Sequence, residues 1–381
     1  MTHKKTILVL LAATLALAAL AAVPATGMGS AGSGRYIVVL KAGTSAPGEV
    51  ASSQSRRYGA SVGFVYSHAL KGYSATIPQD KLSDVRRDPQ VAYVVPDSPV
   101  TATAQTLPWG IDRVDADLSS TKAGDGTGAV SNVHAYVIDT GIDASHPDLN
   151  VSGGNVNFAG GKNSDCNGHG THVAGTIAAR DNSIDVVGVA PGAPLTGVKV
   201  LGCSGSGSTS GVIKGIDWVT ANAAKPAVAN MSLGGSANQA LDDAVRNSAA
   251  TGVVYSIAAG NDGTDACTES PARAGTTDGV ITVAATDQSD AEASWSNYGP
   301  CVDIWAPGVS ILSTRKGGGT TTMSGTSMAT PHVTGGSALY LSSHTGDTQA
   351  QVESALKSAA TTTSRTSKDG RTITRLYVAG F

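Results

Sequence analysis

From Val133 onward the chain alternates short apolar, β-branched runs with longer stretches of helical pattern. Val133-His134-Ala135-Tyr136-Val137-Ile138 predicts a strand, and so do Leu195 to Leu201, Ala227 to Met231, Val253 to Ala258 and Val280 to Ala284. Thr171 to Ala179, Val212 to Ala221 and the Ala- and Gly-rich stretch from Ser327 to Leu341 predict helices. This alternation predicts an α/β domain, a mostly parallel sheet with helices on both faces. Reactive residues in such sheets gather where strands end and helices begin.

Ahead of that domain the pattern is different. Tyr36-Ile37-Val38-Val39-Leu40, Gly72 to Ile77 and Val91 to Val95 read as strands, with a short polar helix from Lys81 to Arg87 between the last two. The result is a small α+β module, marginal in size for independent stability. Thr101 to Thr106 is neutral and small, a linker and a cleavage site. At the start, Lys4 and Lys5 precede an unbroken apolar run from Ile7 to Val23 and small residues around Ala25, the pattern of a secretory signal peptide. A membrane anchor is the competing reading, because the run is near the lower limit for spanning a bilayer. The sequence therefore divides into a signal over 1–25, a small domain over 35–104 and a main domain over 105–381.

Charge sharpens this division. Only 14% of residues are charged, against about 25% in ordinary soluble proteins, and 47 are Gly, so the surface is built from small neutral polar groups. The formal net charge of −3 conceals an asymmetry: 35–104 holds eight basic and five acidic residues, and 105–381 holds 16 basic against 24 acidic. The two segments attract each other at low salt, and the acidic main domain argues against nucleic acid as a partner. Four cysteines in an exported chain argue for two disulfides, with three connectivities open.

Three segments place a polar residue among small ones at a strand or helix terminus. Val137-Ile138-Asp139-Thr140-Gly141 ends an apolar strand in a carboxylate. Such a group can orient an imidazole, although singly it is more often a turn or cap residue. Asn167-Gly168-His169-Gly170-Thr171-His172 brings a histidine into a helix between glycines. That suits a general base, or a zinc site with Cys166 and His172 as further ligands. Gly325-Thr326-Ser327-Met328-Ala329-Thr330-Pro331 sets a serine at the mouth of a helix, as a nucleophile beside oriented N–H groups or simply as an N-cap. Pro331 is expected in the first turn, where a missing donor costs nothing.

Together, in the order Asp, His, Ser, these words resemble the subtilisin superfamily of serine endopeptidases from about Pro108 to the C-terminus. The Cys166 and Cys267 regions look most like its proteinase K branch, particularly the aqualysin-like bacterial members. The resemblance implies that Asp139, His169 and Ser327 form a triad and that Asn261, in Ser256-Ile257-Ala258-Ala259-Gly260-Asn261-Asp262, donates to the oxyanion. It further implies that Ser232, Leu233 and Gly234, with Ala258, Ala259 and Gly260, line the primary specificity pocket. It makes Asn230, despite its Asn-x-Ser context, a buried strand residue. It selects Cys166 with Cys203 and Cys267 with Cys301, and gives residues 35–104 the role of a propeptide that assists folding and inhibits.

On this reading the chain is a secreted, monomeric endopeptidase acting on polypeptides with no cofactor in the chemistry and no membrane contact after signal removal. The pocket walls are small and uncharged, so apolar or aromatic P1 side chains are expected, with no counter-charge for Lys or Arg. Relatives imply structural calcium, expected at Asp303 with backbone oxygens near Asp278 and Val280, and at Asp112 and Asp115. The rival reading is an exported, non-catalytic binding protein, or a zinc module, on the same fold.

Overall fold

A computed structural model describes residues 33–97 and 105–381, which fall into two compact units dividing between Thr101 and Ala102. The signal peptide read over 1–25 and residues 101–104 of the linker lie outside the described residues.

The leading unit runs β1 (Ser33–Leu40), α1 (Pro47–Tyr58), β2 (Ser61–Tyr66), β3 (Gly72–Pro78), α2 (Leu82–Arg87) and β4 (Val91–Pro96). Its antiparallel sheet has the order β2-β3-β1-β4. Sequence reading found β1, β3, α2 and β4 and passed over β2 and α1; Pro47 in the first turn of α1 and its buried Val50, Ala51, Gln54 and Tyr58 mark an amphipathic helix. These pack on Val38, Leu40, Tyr73 and Ile77. Phe64, Tyr93, Val65 and Val95 are left exposed, Phe64 by 71%.

The main unit opens with α3 (Trp109–Arg113), β5 (His134–Asp139), β6 (Asn155–Asn157), α4 (His169–Ala178), β7 (Leu195–Lys199), α5 (Thr209–Asn222) and β8 (Ala227–Met231). It continues through β9 (Gly235–Ser236), α6 (Gln239–Ala249), β10 (Val253–Ala258), β11 (Glu269–Ser270), β12 (Val280–Thr286), β13 (Ile304–Pro307), β14 (Ile311–Thr314) and β15 (Thr320–Met323). The elements α7 (Thr326–Ser343), α8 (Gln349–Ala359), β16 (Thr361–Thr366) and β17 (Thr372–Arg375) complete it.

Nine strands form one sheet in the order β16-β17-β13-β12-β10-β8-β5-β7-β6, parallel throughout except for the outermost pair β16 and β17. Every residue of β7, β8, β10 and β12 is buried, as a sheet covered on both faces requires. One face packs Val173 and Ile177 of α4, Val333 and Leu339 of α7 and Leu356 of α8 against Val137, Val254 and Val283. The other packs Ile216 and Val219 of α5 and Leu241 and Val245 of α6 against Ile138, Val198, Tyr255 and Ile257. Because β7 lies on one side of β5 and β8 on the other, the chain reverses its direction of growth at β5, and a crevice opens beyond the ends of these strands.

Two histidines are sealed in the first layer. His172 Nε2 donates to the Ile311 carbonyl (3.0 Å) and His332 Nδ1 to that of Met328 (2.9 Å), while the other nitrogen of each ring has no partner among the described residues. Burial above all pushes both pKa values down, to about 4. A histidine depressed in the fold binds fewer protons than its unfolded counterpart between pH 6.5 and 4, so stability is lost as pH falls through that window and levels off below it. The melting temperature of a Ser327→Ala protein, which cannot digest itself, should decline from pH 6.5 to 4 and then flatten, and adding His332→Asn should shrink the decline. A calorimetric pH series checks this.

Candidate active site

β5 ends in Asp139, a carboxylate with no exposed surface. Its Oδ1 accepts the Thr140 N–H (2.7 Å), and both its oxygens face His169 Nδ1, at 2.8 and 2.9 Å. His169 therefore carries its proton on Nδ1 and presents the basic Nε2 outward, with its side chain 24% exposed. Burial by itself would lower the imidazole pKa. The Asp139 charge and hydrogen bond, with a smaller pull from Asp165, more than reverse it, and the pKa lies above the ordinary 6.5.

The approach to His169 is held by Asp165, to which the sequence reading gave no role. Its Oδ1 accepts from the N–H groups of Asn167 (3.0 Å) and Gly168 (2.8 Å) and from the Thr140 hydroxyl (2.9 Å). Its Oδ2 takes the Thr171 N–H (3.0 Å) and hydroxyl (2.5 Å). Gly170 is required here, because a Cβ would overlap the Gly141 carbonyl. Beneath these groups lies Lys199, 1% exposed, whose ammonium donates to the carbonyls of Thr140 (2.7 Å) and Leu201 (2.9 Å).

Ser327 is the second residue of α7, where its N–H has no intrahelical acceptor. Its hydroxyl donates to the Ser232 carbonyl (3.1 Å), and the Ser232 hydroxyl donates back to the Ser327 carbonyl (2.7 Å). That carbonyl is free because Pro331, four residues on, has no N–H. Pro331 thus stands in the second turn of α7 rather than the first, which corrects the sequence expectation. Asn261 is oriented from behind: its Oδ1 accepts the Thr326 N–H (2.8 Å) and hydroxyl (3.0 Å), leaving Nδ2 without a protein partner among the described residues.

Two cavities share the strip from Gly234 to Ala237. The larger, about 650 Å³, contains His169 and Ser327 and has an apolar end formed by Leu201, Val212, Leu233 and Leu241. The smaller, about 570 Å³, lies beside Asn261 between Gly234 and Gly260 and is lined further by Asp262, Thr268 and Glu269. Asn297, wholly buried, builds it: Nδ2 donates to the Ala259 carbonyl (3.0 Å) and Glu269 Oε1 (2.9 Å), and Oδ1 accepts the N–H groups of Asp262 and Thr264 (3.0 Å each). Of the walls expected from sequence, Ser232 and Leu233 line the larger cavity, the buried Ala258 and Ala259 line neither, and Gly234 and Gly260 line the smaller one, which is not uncharged. Glu269 and Asp262 both line it, which corrects the expectation of no counter-charge.

The disulfides are Cys166–Cys203 and Cys267–Cys301. The first removes Cys166 from any zinc site with His169 and His172. Asn230 is fully buried in β8. The calcium expectation at Asp303 is corrected: its carboxylate accepts from Lys357 Nζ and the Thr282 N–H, both at 2.9 Å, so an ammonium already neutralises it. Asp278 and Asp112 are exposed, Val280 is buried in β12, Asp115 takes a left-handed turn (φ 60°), and none of them shares a metal cluster with other Asp, Glu, His or Cys among the described residues. A better oxygen cage lies elsewhere. Asp148, buried and pushed up to about 6 chiefly by burial, meets Asn182 Nδ2 at 2.7 Å and the Val186 N–H at 3.2 Å. Gln105, whose amide reaches the carbonyls of Arg180 (2.6 Å) and Val186 (3.0 Å), has a buried Oε1 with no partner among the described residues. The sequence reading missed this group because its donors are amides and carbonyls spread over 80 residues.

A buried carboxylate holding one face of an imidazole, beside a serine at a helix mouth and an aimed amide, is the constellation of a serine peptidase. Residues 131–380 match the Subtilase family (Peptidase S8) and residues 35–103 the Peptidase inhibitor I9 family; the chain belongs to the subtilase family. It is 50% identical over 308 residues to an extracellular serine proteinase of Thermus sp. (strain Rt41A), covering 78% of this chain and 73% of that one. It is 45% identical over 336 residues to the alkaline serine exoprotease A of Vibrio alginolyticus, covering 84% of this chain and 61% of the relative's length. Among solved structures, a cold adapted subtilisin-like serine proteinase aligns with a TM-score of 0.62 at 44% identity, covering 71% of this chain and 98% of that one.

Asp139→Asn should lower kcat by about 10⁴, the size seen when a triad carboxylate is neutralised. With His169 as the general base, activity should rise with pH through a pKa above 6.5 in the native protein. In the variant that acid limb should move to lower pH, because the charge that raised the pKa is gone. Pre-steady-state pH profiles test both.

Proposed function

We propose that this chain is a secreted endopeptidase that cleaves polypeptides through an acyl-enzyme on Ser327. The observation that carries this is the pair of short contacts from Asp139 to His169 Nδ1, which leaves Nε2 as a base facing the cavity that holds Ser327. As substrate enters, the Ser327 hydroxyl turns from the Ser232 carbonyl to His169 Nε2, a bond that such enzymes commonly complete only in the complex. His169 takes the proton as Ser327 Oγ attacks the carbonyl carbon, and Asp139 stabilises the imidazolium. Asn261 Nδ2 and the Ser327 N–H hold the oxyanion, each donor of this kind being worth about 10²- to 10³-fold in kcat. His169 then protonates the leaving amine, and water repeats the sequence on the acyl-enzyme. The glycine-walled cavity takes large apolar or aromatic P1 side chains, each buried methylene adding about 0.8 kcal/mol, and the Leu201, Val212, Leu233 and Leu241 end takes a further apolar side chain.

Residues 35–104 act as the propeptide that inhibits the enzyme, and the linker is its first substrate. Ser327→Ala should keep this segment covalently attached where the wild type releases it. N-terminal sequencing of the variant, expressed in a host lacking other exported proteases, decides the matter: a new terminus between Thr101 and Thr106 would rule out self-processing.

Calcium fits the cage of Gln105, Asp148, Asn182 and the Arg180 and Val186 carbonyls, because a hard cation is what a buried carboxylate and an orphaned amide oxygen demand. It would tie the segment around Gln105, at the start of the main unit, to the 180–186 loop. Chelation should lower the melting temperature, and Asp148→Asn should abolish the calcium dependence of melting. An unchanged curve on chelation removes the site.

A further inference from the structure

The smaller cavity has a chemistry that the triad does not use. Glu269 stands on β11, which pairs with β9 so that Glu269 lies opposite Ser236. This two-residue ribbon carries the carboxylate across to the cavity beside Asn261. Its Oε1 is held by Asn297 Nδ2 (2.9 Å). Its Oε2 has no hydrogen-bond donor among the described residues and lies between the two walls: a Cβ on Gly234 would sit 3.8 Å from it, and one on Gly260 2.5 Å. Gly260, at φ 106°, could not be replaced without displacing both this oxygen and the Asn297 amide. Bare backbone on both sides thus leaves the carboxylate oxygen facing the lumen.

Asp262 adds a second carboxylate to the same wall, with its N–H fixed by Asn297 Oδ1. No Lys or Arg among the described residues lines the cavity. Two basic groups in neighbouring chain are engaged elsewhere: Arg273 with Asp242, and Lys368 with the Ser294 and Ser296 carbonyls (2.8 and 2.6 Å). Burial first, and then the neighbouring Asp262, raise the Glu269 pKa, the response of a carboxylate lacking a cation.

We propose that Glu269, supported by Asp262, is a specificity-determining residue that pairs with the ammonium or guanidinium of a P1 Lys or Arg. This rests on the peptidase reading above. The fit is physical on both counts. The methylene stems of Lys and Arg lie along the glycine walls as an apolar side chain does, and the charged head reaches the floor where Oε2 awaits a donor. An apolar P1 side chain still fills the cavity, so the enzyme is dual rather than strict.

The test uses the mature enzyme and a series of peptide p-nitroanilides that differ only at P1, with Lys, Arg, Phe or Glu. Wild type should turn over the Lys and Arg substrates with kcat/KM within about tenfold of Phe, and Glu far below both. Glu269→Gln keeps an acceptor for Asn297 and should lower the Lys-to-Phe ratio about tenfold or more, chiefly through KM, while raising Glu relative to Phe. Glu269→Lys should invert the order of the Lys and Glu substrates. A purely structural Glu269 would move all four substrates together, so the ratios separate the two roles. A Lys substrate cleaved at less than about one-hundredth of the Phe rate by wild type, or a Lys-to-Phe ratio unchanged in Glu269→Gln, overturns the proposal while leaving the peptidase reading standing. Turnover of none of the four takes both down.

Discussion

A carboxylate wholly removed from water is the constraint around which the main unit is organised. Asp139 at the end of β5 has no exposed surface, and an ionised group so placed is tolerable only when its lone pairs are met by donors. The Thr140 N–H and His169 Nδ1 meet them directly. Lys199 puts a buried cation on the Thr140 carbonyl, one residue away, and Asp165 gathers the Thr140 hydroxyl together with the turn that introduces α4. Moving any of these groups leaves charge uncompensated in a low-dielectric interior. The position of the histidine is thereby a by-product of satisfying the strand end, and the reversal of sheet growth at β5 gives that end its open crevice.

The second half of the site depends on amides rather than charges. Asn297 spends all its hydrogen-bonding capacity on backbone and on Glu269, which makes the segment from Ala259 to Thr264 a rigid edge. Thr326, just before the serine, completes the edge by fixing the Asn261 oxygen, so the amide nitrogen can point only into the cleft. The proposed oxyanion donor and the proposed specificity wall are thus the same piece of chain, held from behind by two buried residues, Thr326 and Asn297.

Much of this was legible from the residues. Strands covered on both faces print as runs rich in apolar and β-branched residues, and β5, β7, β8, β10 and β12 all lie where those runs do. The reactive words around Asp139, His169 and Ser327 stood at strand and helix ends, where chemistry concentrates in this class of sheet. Other elements were overlooked although a signal existed: α6 shows Leu241, Val245 and Ala249 at helical spacing behind an Asn238 cap, and α8 opens with the capping box of Thr348 and Gln351. What no local pattern contained was Glu269. Its meaning comes from the β9–β11 ribbon, which brings a residue eight positions beyond Asn261 back to the same cavity. Asp303 failed for the matching reason, since Lys357, 54 residues later, was invisible as its partner.

Pro331 ends up with a role that has nothing to do with tolerating a proline. By withholding one N–H from the second turn of α7, it frees the Ser327 carbonyl to receive Ser232, while Ser232 in return receives the Ser327 hydroxyl. The strip along which a substrate backbone would lie and the atom that would attack it are therefore fastened to each other at one joint, with no intervening loop to absorb slack. Any tug on the strip is felt at the nucleophile within a single bond length of play, so the register of a bound chain and the aim of the attacking oxygen are set as one adjustment.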